Sequence, residues 1–260
     1  MSGPRTFTFL GTGTSVGVPM VGCQCAVCQS SDPRNHRYRC AVLVRTPAGN
    51  ILIDTPPELR LQLLRERVDR LGGVLYTHAH ADHLFGLDDL RPFATLTGAS
   101  VPLYCTAEVE AKVREAFGYA FPDRPVNPAE FYLPRLEFRR ITSDPFAVLG
   151  QTVTPVPLVH SRFSVFGFRI GDVAYCTDVS HVPDESWARL EGVRVLVIDA
   201  LRYKPHPAHL NVNGALEVVE RVRPQQAYLT HMSHDLDYET LARQLPPHVQ
   251  PAHDGLSFEF

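Results

Sequence analysis

The run His78-Ala-His80-Ala-Asp82-His83 carries three histidines and one aspartate within six residues. It follows a predicted strand at residues 74–76 and precedes an amphipathic turn at residues 84–90. His78 and His80 alternate along an extended segment and can point the same way, while Asp82 and His83 turn back where a helix begins. Imidazole suits zinc, iron and manganese, and a carboxylate adds a hard oxygen ligand. The spacing therefore predicts ligands for two neighbouring metal ions and disfavours a histidine-rich surface loop.

Three further candidate ligands each come just after a predicted strand. His160 follows the strand predicted at residues 153–159, Asp178 follows residues 173–176, and His231 follows residues 227–230. Taken singly, these residues are typical of structural histidines and turns. Together, they indicate that the strands deliver three side chains to one edge of the sheets.

The rest of the chain alternates short apolar, β-branched runs with amphipathic ones, which is typical of an α/β (α+β) protein. The alternation predicts two packed sheets with helices outside, in a single domain over residues 1–260. Further strands are predicted at residues 6–10, 40–46, 51–54, 101–105, 136–141, 163–170, 193–199, 249–251 and 256–260. Helices are predicted at residues 57–68, 107–117, 183–190, 212–222 and 238–245, with a Pro-rich surface loop at residues 121–134.

Composition narrows the class of protein. The 260 residues are 44% apolar and 20% charged, with a formal net charge of −3, which disfavours long nucleic acids as the main partner. The first ten residues lack the apolar region of a signal peptide, and no apolar run approaches the roughly 18 residues that span a bilayer. A cytoplasmic enzyme without membrane attachment is expected.

The order of these motifs resembles the metallo-β-lactamase superfamily over nearly the whole chain. The resemblance implies an αββα four-layer sandwich of two mixed β-sheets, with two divalent metal ions, manganese or zinc, at one edge. It places His78, His80 and His160 on one metal ion, Asp82, His83 and His231 on the other, and Asp178 between them. It also implies that Asp54, at the end of its strand, holds the histidine run by hydrogen bonds.

Two metal ions about 3.5–4 Å apart can activate a hydroxide at neutral pH and neutralise a phosphoryl or acyl oxygen. Zinc β-lactamases carry a cysteine ligand in the region of Asp178. Cys176 lies two residues earlier, but Asp178 is the better match, so β-lactamase activity is not expected. Asp82 is predicted to act in catalysis as well as in metal binding.

A second cluster, Cys23-Gln-Cys25-Ala-Val-Cys28, supplies three thiolates, one fewer than a closed tetrahedral zinc site needs. His234, three residues after His231, is the predicted fourth ligand, and Cys40 is the competitor. This combination resembles phosphoribosyl cyclic phosphodiesterases of the PhnP type. The resemblance implies a structural zinc ion in a loop at about residues 20–40, next to the catalytic pair of metals.

The leaving alkoxide of a phosphodiester needs a proton. His209 precedes a predicted helix, and in the resembled phosphodiesterases a histidine here faces the substrate, so His209 is the candidate general acid. His206 and His181 are rivals, and a surface histidine is the structural alternative. Asn211 and Asn213 are predicted as helix N-caps.

The resemblance favours a small, cyclic phosphodiester as substrate, such as a phosphoribosyl cyclic phosphate or a cyclic nucleotide. A thioester hydrolase or a metalloprotein of pyrroloquinoline quinone biosynthesis is the alternative. A tRNA 3′-processing endonuclease is disfavoured because the stretch at residues 121–140 is short and free of glycine. A non-catalytic metal-binding module is disfavoured by the intact ligand set. Homodimers are common among relatives, although the sequence carries no interface signature.

Overall fold

The computed structural model describes residues 3–122 and 132–260. In these ranges the first sheet has seven strands in the order β14-β1-β2-β3-β4-β5-β6. Its strands are β1 (Thr6–Gly11), β2 (Ala41–Thr46), β3 (Gly49–Ile53), β4 (Gly73–Leu75), β5 (Val101–Cys105), β6 (Leu136–Arg140) and β14 (Ser257–Glu259). The expected mixed character is confirmed, because β1, β2, β3 and β14 pair antiparallel whereas β3 to β6 pair parallel.

The second sheet repeats this plan, with seven strands among the described residues in the order β13-β12-β11-β10-β9-β8-β7. Its strands are β7 (Phe146–Val148), β8 (Gln151–His160), β9 (Phe163–Ile170), β10 (Val173–Cys176), β11 (Val195–Asp199), β12 (Gln226–Thr230) and β13 (Val249–Pro251). Strands β7 to β10 pair antiparallel and β10 to β13 pair parallel. The carboxyl ends of parallel strands meet at one edge, where side chains from several strands can converge.

The sheets face each other across a shared apolar core. Alternate residues of the first sheet, such as Phe9 and Val44, pack with residues of the second, such as Phe168 and Val197. This period-two alternation is what a strand buried on an inner face requires.

Helices cover the two outer faces, which completes the four layers. Leu59 and Leu63 of the first helix pack in the outer core of the first sheet, and Val212 and Val219 pack in that of the second. The helices are α1 (Leu59–Arg65), α2 (Ala81–Leu84), α3 (Arg91–Thr97), α4 (Ala107–Ala116), α5 (Asp184–Leu190), α6 (Val212–Val222) and α7 (Tyr238–Gln244).

The predicted elements are found within a few residues of their observed bounds, with two omissions. The elements that were not predicted are strand β7, with three residues, and helix α3, with seven. Both are too short to carry a clear periodic pattern, and in α3 the apolar Leu96 is 70% exposed. The histidine run turns into helix α2 at Ala81, as the spacing predicts. Most of the loop predicted at residues 121–134 lies outside the described residues.

Among the described helices, none combines the length and the apolar character that crossing a bilayer requires.

Candidate metal centre

Asp178 lies between two groups of histidines and offers one carboxylate oxygen to each. Its Oδ1 is 3.2 Å from His83 Nε2 and 3.4 Å from His231 Nε2. Its Oδ2 is 3.7 Å from His78 Nε2 and 3.9 Å from His160 Nε2. Ligands at about 2.0–2.2 Å from one tetrahedral ion are roughly 3.3–3.6 Å apart. The spacing therefore suits a cation on each side of this carboxylate.

All seven candidate ligands fall into these two groups, with Asp178 belonging to both. In each group the ligand atoms lie within 4.8 Å of one another. The first group is His78, His80, His160 and Asp178, and the second is Asp82, His83, His231 and Asp178.

The backbone turns sharply at three of the site residues directly after their strands. Asp54, Asp178 and His231 have φ of 65°, 56° and 57°, a left-handed conformation that is uncommon for residues other than glycine. Each of these turns redirects a side chain from the end of a strand toward the edge shared by the sheets. Such conformations cost about 1–3 kcal/mol each and are concentrated at functional sites.

Hydrogen bonds orient the rings of the histidine run. Asp54 accepts hydrogen bonds from His83 Nδ1 at 2.7 Å, from Thr77 N at 2.9 Å and from Thr77 Oγ1 at 2.8 Å. The Thr77 hydroxyl in turn lies 2.9 Å from His78 Nδ1 and can accept its proton. Since both Nδ1 atoms are bonded, the Nε2 atoms of His78 and His83 are left to face Asp178. Thr77 was not predicted from the sequence.

The two Nε2 atoms of His78 and His83 and both ring nitrogens of His231 are buried without a hydrogen-bond partner among the described residues. Unpaired buried polar atoms are rare and need an explanation. Buried carboxylates also need a positive partner. A pair of divalent cations would satisfy the imidazole nitrogens and the carboxylates of Asp82 and Asp178 at once, so the residues fit such a pair.

Electrostatics of the site lead to the same conclusion. Burial opposes a charge on His83, but Asp178, Asp82 and Asp54 outweigh it and raise the pKa of His83 well above its usual range. Burial, reinforced by the neighbouring His83, holds the pKa of His78 well below its usual range. Clustered carboxylates therefore attract positive charge here while a second imidazole stays neutral, as a metal ligand must.

His209 lies beside the candidate ligands and is held by Asp199. Its Nδ1 donates to Asp199 Oδ2 at 2.8 Å, and its ring centroid is 4.6 Å from those of both His160 and His231. Asp199 is fully buried and also accepts from Val179 N at 2.8 Å. The role of Asp199 was not predicted from the sequence. The position of Asp199 at the end of an apolar strand could have indicated it, because Asp54 likewise follows an apolar strand.

The two rival histidines lie farther from the cluster or face elsewhere. The ring centroid of His206 is 5.3 Å from that of His209, and His206 belongs to neither ligand group. His181 is exposed and bridges to the backbone of Val159. The Nδ1 of His160, by contrast, donates to Ala208 O at 2.7 Å, so the loop that carries His209 also orients a candidate ligand.

The cysteine cluster forms a separate four-residue group. The Sγ atoms of Cys23 and Cys25 both lie 3.4 Å from His234 Nδ1. A sulfur and a nitrogen on one tetrahedral zinc ion are roughly 3.6 Å apart. Cys28 completes the group, and its backbone N–H donates to Cys25 Sγ at 3.4 Å. This bond and the contact with His234 lower the pKa of Cys25 to about 6, which favours the thiolate that zinc binds.

Cys40, the competing fourth ligand, is not in this group. Its buried thiol donates to Gly13 O at 3.4 Å and lies 3.5 Å from Thr230 Oγ1. Burial raises the pKa of Cys40 to about 12, which disfavours a thiolate at this position.

Comparisons with known proteins identify the family of the chain. A family model described as a beta-lactamase superfamily domain matches residues 49–232. A crystal structure described as a new diphosphatase from the PhnP family has a TM-score of 0.93 and 41% identity, covering 100% of this chain and 98% of that one. Human tRNase Z, short form, has a TM-score of 0.70 at 20% identity, covering 97% of this chain and 98% of that one, and shows the fold alone.

A curated relative, an octanoyltransferase of Porphyromonas gingivalis, is 37% identical over 251 residues. The match covers 95% of this chain and 50% of that protein, so the chain spans about half the length of this relative. On the matched family model and the PhnP-family structure, the chain belongs to the metallo-β-lactamase superfamily and is PhnP-like.

Proposed function

We propose that this chain is a binuclear metal-dependent phosphodiesterase that hydrolyses small, cyclic phosphodiesters. One observation carries the proposal: the two oxygens of Asp178 face two separate groups of imidazoles, with His209 against both groups. Two cations held side by side, next to a histidine that can donate a proton, suit the in-line displacement of an oxygen from phosphorus.

His78, His80 and His160 would hold one cation, Asp82, His83 and His231 the other, and Asp178 both. Manganese and zinc both suit this mixture of imidazole and carboxylate. When bound, the two ions supply an activated water and neutralise charge on the phosphoryl oxygens.

His209 is the proposed general acid. Its Nδ1–H is bonded to Asp199, which fixes the ring and leaves Nε2 free. The hydrogen bond to Asp199 sets the orientation of this ring, so that Nε2 is the nitrogen placed to give the leaving group its proton. With 11% of its side chain exposed, His209 remains open to a substrate at the edge of the sheets.

In the reaction, the water oxygen forms a bond to phosphorus as the bond to the leaving alkoxide oxygen breaks. His209 Nε2 gives its proton to that oxygen, and Asp82 accepts the proton that the water loses. Asp82 suits this role because it belongs to the second group and its side chain is 11% exposed. Ring opening of a cyclic diester then leaves a phosphomonoester.

The proposal is supported by the similarity to a PhnP-family structure described as a diphosphatase, because hydrolysis of a diphosphate also displaces an oxygen from phosphorus. The net charge of −3 disfavours polynucleotides. A structural zinc ion held by Cys23, Cys25, Cys28 and His234 is part of the same proposal, because it would fasten the loop next to His231.

The test is turnover of ribose 1,2-cyclic phosphate, 2′,3′-cyclic nucleotides and an aryl phosphodiester by manganese-loaded and zinc-loaded protein, with a chelator control. His209→Ala should lower kcat by about a hundredfold or more at unchanged metal content, the usual scale for losing a general acid. His181→Ala, an exposed histidine outside the site, is the matched control and should keep the wild-type rate. Full metal occupancy without cleavage of any diester would refute the proposal.

A further inference from the structure

The hairpin between β8 and β9 places an aromatic side chain beside the candidate metal ligands. His160, the last residue of β8, pairs directly with Phe163, the first residue of β9. Directly opposed residues of an antiparallel pair project from the same face of a sheet. Phe163 therefore lies on the same face as His160. The ring of His80 lies against both, with centroids 5.0 Å from His160 and 5.7 Å from Phe163.

Phe163 differs from most other large apolar residues of its strand in being open to solvent. It is 46% exposed, whereas Val165, Phe168 and Ile170 are all at or below 4%. The cross-strand partner of Phe163, His160, is only 4% exposed, so the ring lies at the rim of the site. Covering an exposed apolar ring with a ligand is favourable and would contribute to the binding free energy.

The backbone of this hairpin is held by hydrogen bonds to a neighbouring segment. Ser161 N donates to Ser180 Oγ at 3.0 Å, and Ser180 Oγ donates to Val159 O at 3.0 Å. Ser180 is two residues from Asp178, so the hairpin is fastened to the segment that carries the central carboxylate. The guanidinium of Arg162 lies 5.2 Å from the centroid of Phe163 and adds a positive charge at the same rim.

A preordered aromatic ring with an adjacent guanidinium is the arrangement that binds a nucleobase and its phosphate. Every base has a π-face, so stacking on a phenyl ring does not depend on base identity, and arginine attracts the phosphate charge. A sugar phosphate without a base offers only the charge.

We propose that Phe163 is a substrate-binding residue that stacks on a nucleobase, so that nucleoside phosphodiesters are preferred over base-free sugar diesters. This inference rests on the proposed phosphodiesterase function and specifies its substrate class. Stacking is made equally in the ground state and the transition state, so its loss raises KM and leaves kcat nearly unchanged.

The experiment compares 2′,3′-cyclic AMP with ribose 1,2-cyclic phosphate for wild type, Phe163→Ala, Phe163→Tyr and Phe163→Trp. Phe163→Ala should raise KM for the cyclic nucleotide about tenfold or more, with kcat within threefold and with KM for the base-free diester unchanged. Phe163→Tyr and Phe163→Trp should restore KM, because each supplies a ring. An equal loss on both substrates would overturn the inference, since it would indicate a structural role.

A binding measurement separates this inference from the proposed function. Calorimetry on the metal-loaded protein should show adenosine 2′-monophosphate binding about tenfold or more tightly than ribose 5-phosphate, with the difference lost in Phe163→Ala. If neither diester is cleaved but this difference is found, the proposed reaction fails and the base-binding residue stands. If wild type binds both monophosphates equally, the inference about Phe163 fails whatever the turnover.

Discussion

The cysteine loop offers the strongest test of metal binding, because it buries little apolar surface. In residues 20–31 only Cys28 is buried, so burial of apolar surface contributes little to its stability. Fixing a residue costs about 1 kcal/mol or more, so ordering twelve residues costs about 12 kcal/mol. Structural zinc in small sites contributes about 10–16 kcal/mol. The proposed zinc ion would therefore offset the cost of ordering this loop.

Replacing Cys25 by alanine removes one thiolate and the acceptor of the Cys28 N–H. We expect the variant to bind one metal ion fewer per chain than wild type. The loop should then open locally while the two sheets persist, because their cores are built from other residues. Amides of Cys28 and Gln29 should exchange at least a hundredfold faster, since the free energy lost with the ion far exceeds 3 kcal/mol.

Metal content by mass spectrometry and hydrogen exchange of residues 20–31 measure these effects. Cys40→Ser is the matched control, because Cys40 is a buried cysteine outside the four-residue group and serine keeps its hydrogen-bond donor. This control should retain both the metal and the slow exchange. Unchanged metal content and exchange in Cys25→Ala would refute the reasoning that a metal ion orders the loop.

Three further predictions test other parts of the structure. Asp178→Asn should lower the metal content by two ions per chain and reduce turnover by at least about a hundredfold, because both proposed ions lose their shared charged ligand. Retention of all the metal, measured by mass spectrometry, would contradict this prediction. Burial raises the pKa of Asp254 from 3.8 to about 6, so the carboxyl group of Asp254 binds a proton more readily in the folded chain than in the unfolded chain. The free energy of unfolding should therefore fall by up to about 3 kcal/mol as the pH rises from about 4 to above 6. Urea denaturation across this range should show a smaller fall in Asp254→Asn, and identical pH dependence in both proteins would count against the assignment. Asn211→Ala should lower the free energy of unfolding by about 1 kcal/mol, because Asn211 Oδ1 accepts a hydrogen bond from Gly214 N at 2.9 Å at the start of α6. Thermal denaturation should show this loss in Asn211→Ala and not in Asn211→Asp, whose carboxylate can also cap the helix.

Two N-caps were predicted before this helix, and only Asn211 is one. Asn213 lies inside α6, which begins at Val212. Both residue types are equally suited to capping, so the choice between them depends on where the backbone leaves the extended conformation. A boundary of this kind is set by packing against the sheet, and sequence periodicity locates it only to within a few residues.

The sequence by itself determined the chemistry that this protein can carry. The histidine run is local, its neighbours in the chain define a strand and a helix start, and the other candidate ligands each follow a recognisable strand. Because parallel strands end at one edge of a sheet, strand prediction was enough to bring Asp178 and His231 toward one site, whereas the role of Asp54 came from the family resemblance. The three cysteines are likewise close enough in the chain to predict a shared metal ion.

Tertiary structure alone decided which groups face one another across long separations in the chain. The pairing of Asp199 with His209 depends on how a loop folds back over the end of β11, and Cys40 is kept out of the four-residue cysteine and histidine group only by its place in the core. Phe163 became a candidate through the register of a hairpin, where a slip of one residue would have turned its ring to the opposite face. Local patterns specify residue types and elements, whereas these contacts arise from the packing of the two sheets and their loops.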